Sequence, residues 1–184
     1  MGDADRPRGK AAIVEAALRI LDEYGLADLT MRRLAAELEV QPSALYWHFE
    51  SKQALLAAVA DRIVDAMRPA DDVANWRDAT AAAARAMRDA LLAHRDGAEV
   101  VLSTFALGLG SQAGRRRLAE ALGPDRDAHA ADALLQFVLG HASLVQQRIQ
   151  ATSLGVAVHS ADERTATATF ELGVALLLRG LDRS

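Results

Sequence analysis

Apolar side chains recur at helical spacing along most of this chain, and no segment reads as a pair of strands. Ile13, Ala17, Ile20, Leu21 and Tyr24 form one stripe of a helix predicted over residues 9–23, with Gly25 as its stop. Thr30 is a good N-cap for a second, short helix over 31–38, and Leu29 and Leu34 hold the positions of a hydrophobic staple. Pro42 opens a third at the interior position that tolerates proline, reaching residue 48 or 49. Ser51 caps a longer helix over 52–68, which buries Leu55, Leu56, Val59, Ile63, Val64 and Met67. Further helices are predicted over 76–93 and 99–104, through Arg115, Arg116 and Arg117 with Ser111 as cap, and over 126–151. A last one ends near residue 181 and opens with Ser160-Ala161-Asp162-Glu163 as a capping box. The expected fold is all-α, with an N-terminal three-helix head over 1–52, a connecting helix over 52–68, and a helical body over 69–184.

Composition supports helices: 40 of the 184 residues are Ala, and the basic residues are 19 Arg and only two Lys. The lack of Cys excludes a disulfide framework and any thiolate site, and fits a reducing cytoplasm. No apolar run reaches the roughly 18 to 20 residues that span a bilayer, and residues 1–10 lack a signal-peptide stretch. A cytoplasmic protein without membrane contact is expected. The histidines form no catalytic or metal-ligand constellation, and residues 108–114 have the wrong glycine spacing for a dinucleotide loop. The chain is therefore expected not to be an enzyme and to need no cofactor or metal. Arg115, Arg116 and Arg117 read as a solvated face.

The chain holds eight aromatic residues, and Tyr46, Trp47 and Phe49 fall within four consecutive positions around His48. Leu45 and Phe49, four apart, suit the core of a small helical domain. Burying Tyr46, Trp47 and His48 as well would leave a short helix apolar all round, so their polar tips are expected to face a partner. Two short helices behind a longer one have the outline of a helix-turn-helix. The formal charge is −4 overall, and residues 1–52 carry seven Lys/Arg against nine Asp/Glu. Any nucleic-acid contact must then rest on a few well-placed cations.

The segment "LTMRRLAAELEVQPSALYWHFESKQALL", residues 29–56, resembles the DNA-binding region of the tetracycline-repressor (TetR) family. "LLAHRDGAEVVLSTF", residues 91–105, looks like the entry to the ligand core of the tetracycline-repressor branch itself. Gly140-His141 and "FELGVALLLRGLDR", residues 170–183, look like its dimer-forming helices. The resemblance implies a ligand-responsive homodimer, most simply a repressor, on a palindromic double-stranded operator with half-sites about 34–36 Å apart. It implies base reading by Arg32, with Gln41, Pro42, Ser43 and Ala44 at the base-facing start of the recognition helix. Thr30, Tyr46, Trp47, His48 and Lys52 would contact the backbone. Arg6, Arg8 and Lys10 are either a basic arm toward DNA or a solvated tail. Met31 and Ala44 replace polar residues at base-reading positions, so the tetracycline operator is not the expected target.

The resemblance also implies a small-molecule sensor, but its tetracycline–magnesium set is missing. The metal-ligand histidine falls on Val101, the amide on Ala83, an aromatic on Met87 and the acidic residue on Ile149. An apolar or amphipathic effector is expected instead. Its pocket would be lined by Met67, Ala83, Met87, Leu91, Val101, Leu102, Phe105 and Leu109, with Thr104, His141 and Gln147 as polar candidates. Each of these residues could equally fill a core. Leu134, Phe137, Val138 and Leu144, with Phe170, Val174, Leu177, Leu178 and Leu181, exceed what one modest core should bury. They are assigned to a four-helix dimer interface. The alternative is a helical ligand-binding dimer whose DNA head is vestigial and which acts through protein partners.

Overall fold

The structure is a computed structural model that describes residues 9–68, 74–126, 129–155 and 163–181. Among the described residues it is all-α, with helices α1 (Lys10–Tyr24), α2 (Met31–Glu37), α3 (Pro42–Tyr46), α4 (Lys52–Asp65), α5 (Trp76–Leu92), α6 (Gly97–Ala106), α7 (Ala113–Leu122), α8 (Ala130–Ser153) and α9 (Glu163–Gly180). The predicted caps Thr30 and Ser51 act as expected, accepting from the Arg33 and Ala54 amides at 3.1 Å. The staple pair Leu29 and Leu34 is fully buried.

Several boundaries differ from the sequence expectations. The recognition helix α3 is one short turn that stops at Tyr46, and α4 ends at Asp65 rather than at residue 68. Helix α8 starts at Ala130, four residues later than expected. Ser111 is not the cap of α7. That position belongs to Gln112, in left-handed backbone, while Ser111 turns back to α4 and donates its amide and hydroxyl to the Asp61 carboxylate at 2.9 and 2.7 Å. Residues Ser160 to Asp162 of the expected capping box, and Arg6 and Arg8 of the expected arm, lie outside the described residues.

The three arginines of α7 are tethered, which corrects their reading as a solvated face. Arg115 donates to Asp132 of α8 at 2.6 Å, Arg116 to the Ser111 carbonyl at 2.7 Å, and Arg117 to the Met67 carbonyl at 3.0 Å. Thus α7 closes the carbonyl end of α4 and holds it to the body.

Packing proceeds from the head outward. Ile13, Ala17, Ile20 and Leu21 of α1 meet Leu34 of α2, Leu45 of α3, Phe49, and Leu55 and Val59 of α4 in one continuous core. Helix α4 packs on both α1 and α6, so it connects head and body. Met87 and Leu91 of α5 and Leu134, Val138 and Leu139 of α8 fill the body.

Candidate nucleic-acid interface and sensor core

Around α3 the sequence sets up two faces on one turn of helix. Leu45 and Phe49 are buried against α1 and α4, as the spacing predicts. Gln41, Pro42, Ser43, Tyr46 and Trp47 are exposed, while Ala44, His48 and Lys52 are half-buried. Trp47 is 89% exposed and Tyr46 52%, in a chain whose Phe170 is fully buried. Large aromatic surfaces left in water on one patch mark a contact surface.

The paired arginines at the start of α2 part ways. Arg33 donates to Asp28 at 2.8 Å and lies 3.5 Å over the Tyr24 ring, which holds it to the head's own surface. Arg32 is exposed and makes no ion pair among the described residues. Met31 is buried, which removes it from the base-facing positions where the resemblance placed it. Lys10 sits at the start of α1, 5.6 Å over the Phe49 ring, beside the aromatic patch.

The expected ligand pocket divides into four. Val101, Thr104, Phe105 and Leu109 do line one cavity, with Ala60, Asp61 and Val64 of α4 and Arg115 of α7. Its volume is only about 30 Å³, room for roughly one water. Thr104 is buried and spends its hydroxyl on the Val100 and Val101 carbonyls, both at 3.0 Å. Met67, Met87 and Leu91 are core residues, and Ala83 packs half-buried against that core. Met87 abuts Gly114, where a Cβ would come within 2.5 Å of its methyl carbon. Leu102 and Gln147 are exposed and line no enclosed space, because each sits on the outward side of its helix. His141 lies apart, 5.0 Å from the Phe170 ring. Its imidazole pKa is pushed below the ordinary value by burial and by Arg88 and Arg148.

Sequence reasoning missed Gln146, one residue from Gln147. Gln146 is buried, accepts from the Ala98 amide at 3.0 Å, and donates to the Leu91 and His94 carbonyls at 3.1 and 2.7 Å. It thereby satisfies the turn between α5 and α6. From that turn Asp96, also buried, accepts from the Leu26 amide of the head at 2.8 Å, and Gln150 of α8 donates to its other oxygen. Asp22 of α1 accepts from the Arg95 amide at 3.1 Å and sits 3.0 Å from the His94 ring nitrogen. Gly25 allows this seam. Its φ is +88°, and a Cβ there would stand 2.9 Å from Asp96 Oδ2. No side-chain pattern in the sequence signals this seam, because most of its partners are backbone groups far apart along the chain.

The expected dimer set is also redistributed. Leu134, Val138, Phe170, Val174 and Leu178 are buried within the protomer, and Phe137, Leu177 and Leu181 pack half-buried against that core. They belong to the α8–α9 core because the two helices face each other before any second copy arrives. Only Leu144 is exposed, at 54%. Leu172 and Leu176 of α9, which the assignment omitted, are 59% and 57% exposed one helical turn apart. Among the described residues no helix is long and apolar enough to cross a membrane, and no group of three or more His, Asp or Glu could hold a metal ion.

A buried three-helix head with a short exposed recognition turn, bolted through α4 to a helical body, defines a helix-turn-helix protein. Residues 13–59 match the family model "Bacterial regulatory proteins, tetR family", and residues 68–166 match "Tetracyclin repressor-like, C-terminal domain". The chain is 32% identical to the class G tetracycline repressor protein of Vibrio anguillarum over 95% of its own length and 93% of that repressor. The chain belongs to the tetR family of bacterial regulatory proteins.

To the class A repressor of transposon 1721 from Escherichia coli it is 44% identical over 97 residues. That match spans half of this chain and 44% of the repressor's length. The crystal structure of Mycobacterium smegmatis BioQ is similar at 43% identity and a TM-score of 0.82, over 94% of this chain and 96% of that one. A structure of BioQ with its natural double-stranded DNA operator is similar at 41% and 0.75, with the same coverage. The likeness to BioQ thus exceeds that to the full-length class G repressor. These likenesses support the family and do not single out its tetracycline-repressor branch.

The chemistry at Val101 and Ile149 predicts one result directly. Neither side chain can ligate a cation, so tetracycline with Mg²⁺ will leave the melting temperature unchanged. A rise of several degrees that a chelator removes would contradict this.

Proposed function

We propose that this protein is a ligand-responsive, homodimeric transcriptional regulator, acting as a repressor that a small apolar or amphipathic molecule releases from a palindromic operator. The exposed aromatic patch around α3, Tyr46 and Trp47, together with the exposed Arg32 of α2, carries this reading. The BioQ structure bound to its operator supports it. Arg32 reads a base, while Thr30, Tyr46, Trp47, His48 and Lys52 set the head's orientation on the phosphates. Gln41, Pro42, Ser43 and Ala44 line the groove-facing start of α3. The alternative, a vestigial head, leaves a nearly fully exposed Trp47 without a use. Binding of DNA upstream of the protein's own gene, followed by fluorescence anisotropy at rising salt, tests the reading. Affinity should fall steeply with salt at that DNA. Equal, weak binding to any duplex would contradict it.

The second copy is expected on the face of Leu144, Leu172 and Leu176. Leu176→Glu should give monomers by light scattering, because a buried unpaired carboxylate cannot be tolerated in an apolar four-helix interface. Leu177→Glu should instead lower stability, since Leu177 packs against the protomer's own core. An intact Leu176→Glu dimer would move the interface elsewhere.

Two links would carry a change in the body to the head. One is α4, held by Arg117 at its carbonyl end and by Ser111 at Asp61. The other is the Gln146–Asp96–Leu26 seam. A ligand that shifts α6, which packs on α4 and is joined to Gln146 through the Ala98 amide, would act on both links. A coupling of about 1–3 kcal/mol would change operator affinity roughly 5- to 150-fold.

A further inference from the structure

A second polar cluster lies in the body, away from the cavity beside α4. Arg88 of α5 and His141 of α8 both face the Phe170 ring of α9. The guanidinium is 5.3 Å and the imidazole 5.0 Å from its centroid. Phe137 stacks on the same ring at 5.7 Å and leans over Gly173, where any Cβ would overlap it.

The cluster is short of acceptors. Arg88 Nε and His141 Nε2 are buried without a hydrogen-bond partner among the described residues. Native structures rarely leave such groups unmet. The Arg88 side chain is only 13% exposed. Its remaining contacts are weak: Nη2 donates to Thr167 Oγ1 at 3.3 Å, and Nη1 lies 3.7 Å from Asp89, a carboxylate 71% exposed to solvent. Glu171 of α9 is already engaged, with both oxygens 2.7 Å from Arg85. Arg88 and His141 therefore share a partly buried region where the nearby carboxylates are either committed or in water, and the exposed Arg148 acts on the imidazole from outside it. Burial and the two arginines lower the His141 pKa, and an anion beside it would act in the opposite direction.

We propose that Arg88 and His141 bind the carboxylate of a small amphipathic effector, whose apolar part packs on the half-buried Phe137. This rests on the ligand-responsive reading above and names the chemistry of the ligand. A carboxylate oxygen accepts from Arg88 Nε–H and from the imidazole Nε2–H, meeting both unpaired groups at once. The charge compensates the local cations, and the Phe137 ring meets the chain that follows it. A neutral molecule would fill the apolar part and leave the cationic part as it was.

The test uses the full chain and sodium octanoate as probe. The His141 ring signal, assigned by its loss in His141→Gln, is followed by NMR through a pH titration. Octanoate should raise the His141 pKa by about 1 or more. Octanol, and sodium chloride at matched ionic strength, should leave it in place. Arg88→Gln should abolish the rise, and Arg88→Lys, which keeps the charge without Nε, should reduce it. Both variants are checked for folding by circular dichroism.

No rise with octanoate, an equal rise with chloride, or an undiminished rise in both Arg88 variants would overturn the proposal. So would a His141 pKa already above that of a free imidazole before any probe is added, since the anion would then be the protein's own. Operator retention is measured on the same samples. A His141 response without operator release keeps the anion site and refutes its role as effector site. Release by another compound with His141 unmoved refutes this site and leaves the regulator reading standing.

Discussion

Arg32→Ala abolishes retention of operator DNA in a gel shift while the chain stays folded and dimeric. Arg32 lies at the start of α2 and is exposed to solvent. Its neighbour cannot take its place, because Arg33 is held by Asp28 at 2.8 Å and by the Tyr24 ring at 3.5 Å. A bidentate arginine–guanine contact is worth about 1–3 kcal/mol, and a dimer loses two, so affinity should fall roughly 30- to 10⁴-fold. The fold should not suffer, since an exposed side chain away from caps and core changes stability by about 0.5 kcal/mol or less. Tyr46→Ala should weaken binding at all sequences alike, as expected of a contact that positions rather than reads. Unchanged retention in both variants would contradict the docking of this face on DNA.

Gln146→Leu should have the largest effect on stability. Leu matches the volume but leaves the Ala98 amide and the Leu91 and His94 carbonyls without their partner. Unmet buried backbone groups cost about 1–3 kcal/mol each, and partial relaxation or entering water recovers some of this. A net loss of about 3 kcal/mol corresponds to a drop in melting temperature of roughly 6–12 °C for a chain of this size. Gln146→Glu keeps the acceptor toward Ala98 but sets a carboxylate oxygen against the Leu91 and His94 carbonyls, so it should lose at least as much. The variant also loosens the turn that presents Asp96 to Leu26, so hydrogen exchange at Leu26 should speed up. A melting temperature within a degree of the parent would show that the seam is replaceable.

The head was legible from the sequence because local rules and core packing agree there. Thr30 and Ser51 cap, Leu29 and Leu34 staple, and Leu45 and Phe49 turn inward, each as its residue type and spacing require. The outward Tyr46 and Trp47 followed from the same spacing. The body was less legible because its helices are apolar on more than one side. Periodicity placed Leu134, Val138, Phe170 and Val174 on buried stripes, but it does not tell a stripe facing the protomer from one facing a partner. The exposed pair Leu172 and Leu176 was hidden in the run "LLL" and its neighbours for the same reason. Pocket residues could not be sorted from core residues, since Met87 and Val101 have the same chemistry in either role. The Gln146–Asp96–Leu26 seam was out of reach. It joins residues 48 to 70 positions apart through backbone groups, which leave no trace in side-chain pattern.

Footprinting on the DNA that flanks the protein's own gene tests the central claim most directly. A homodimer of these heads should protect a palindromic site whose half-sites lie about one helical turn apart, roughly 34–36 Å, and Arg32→Ala should remove that protection. Protection spread evenly along the duplex, or none with the dimer intact, would contradict the account.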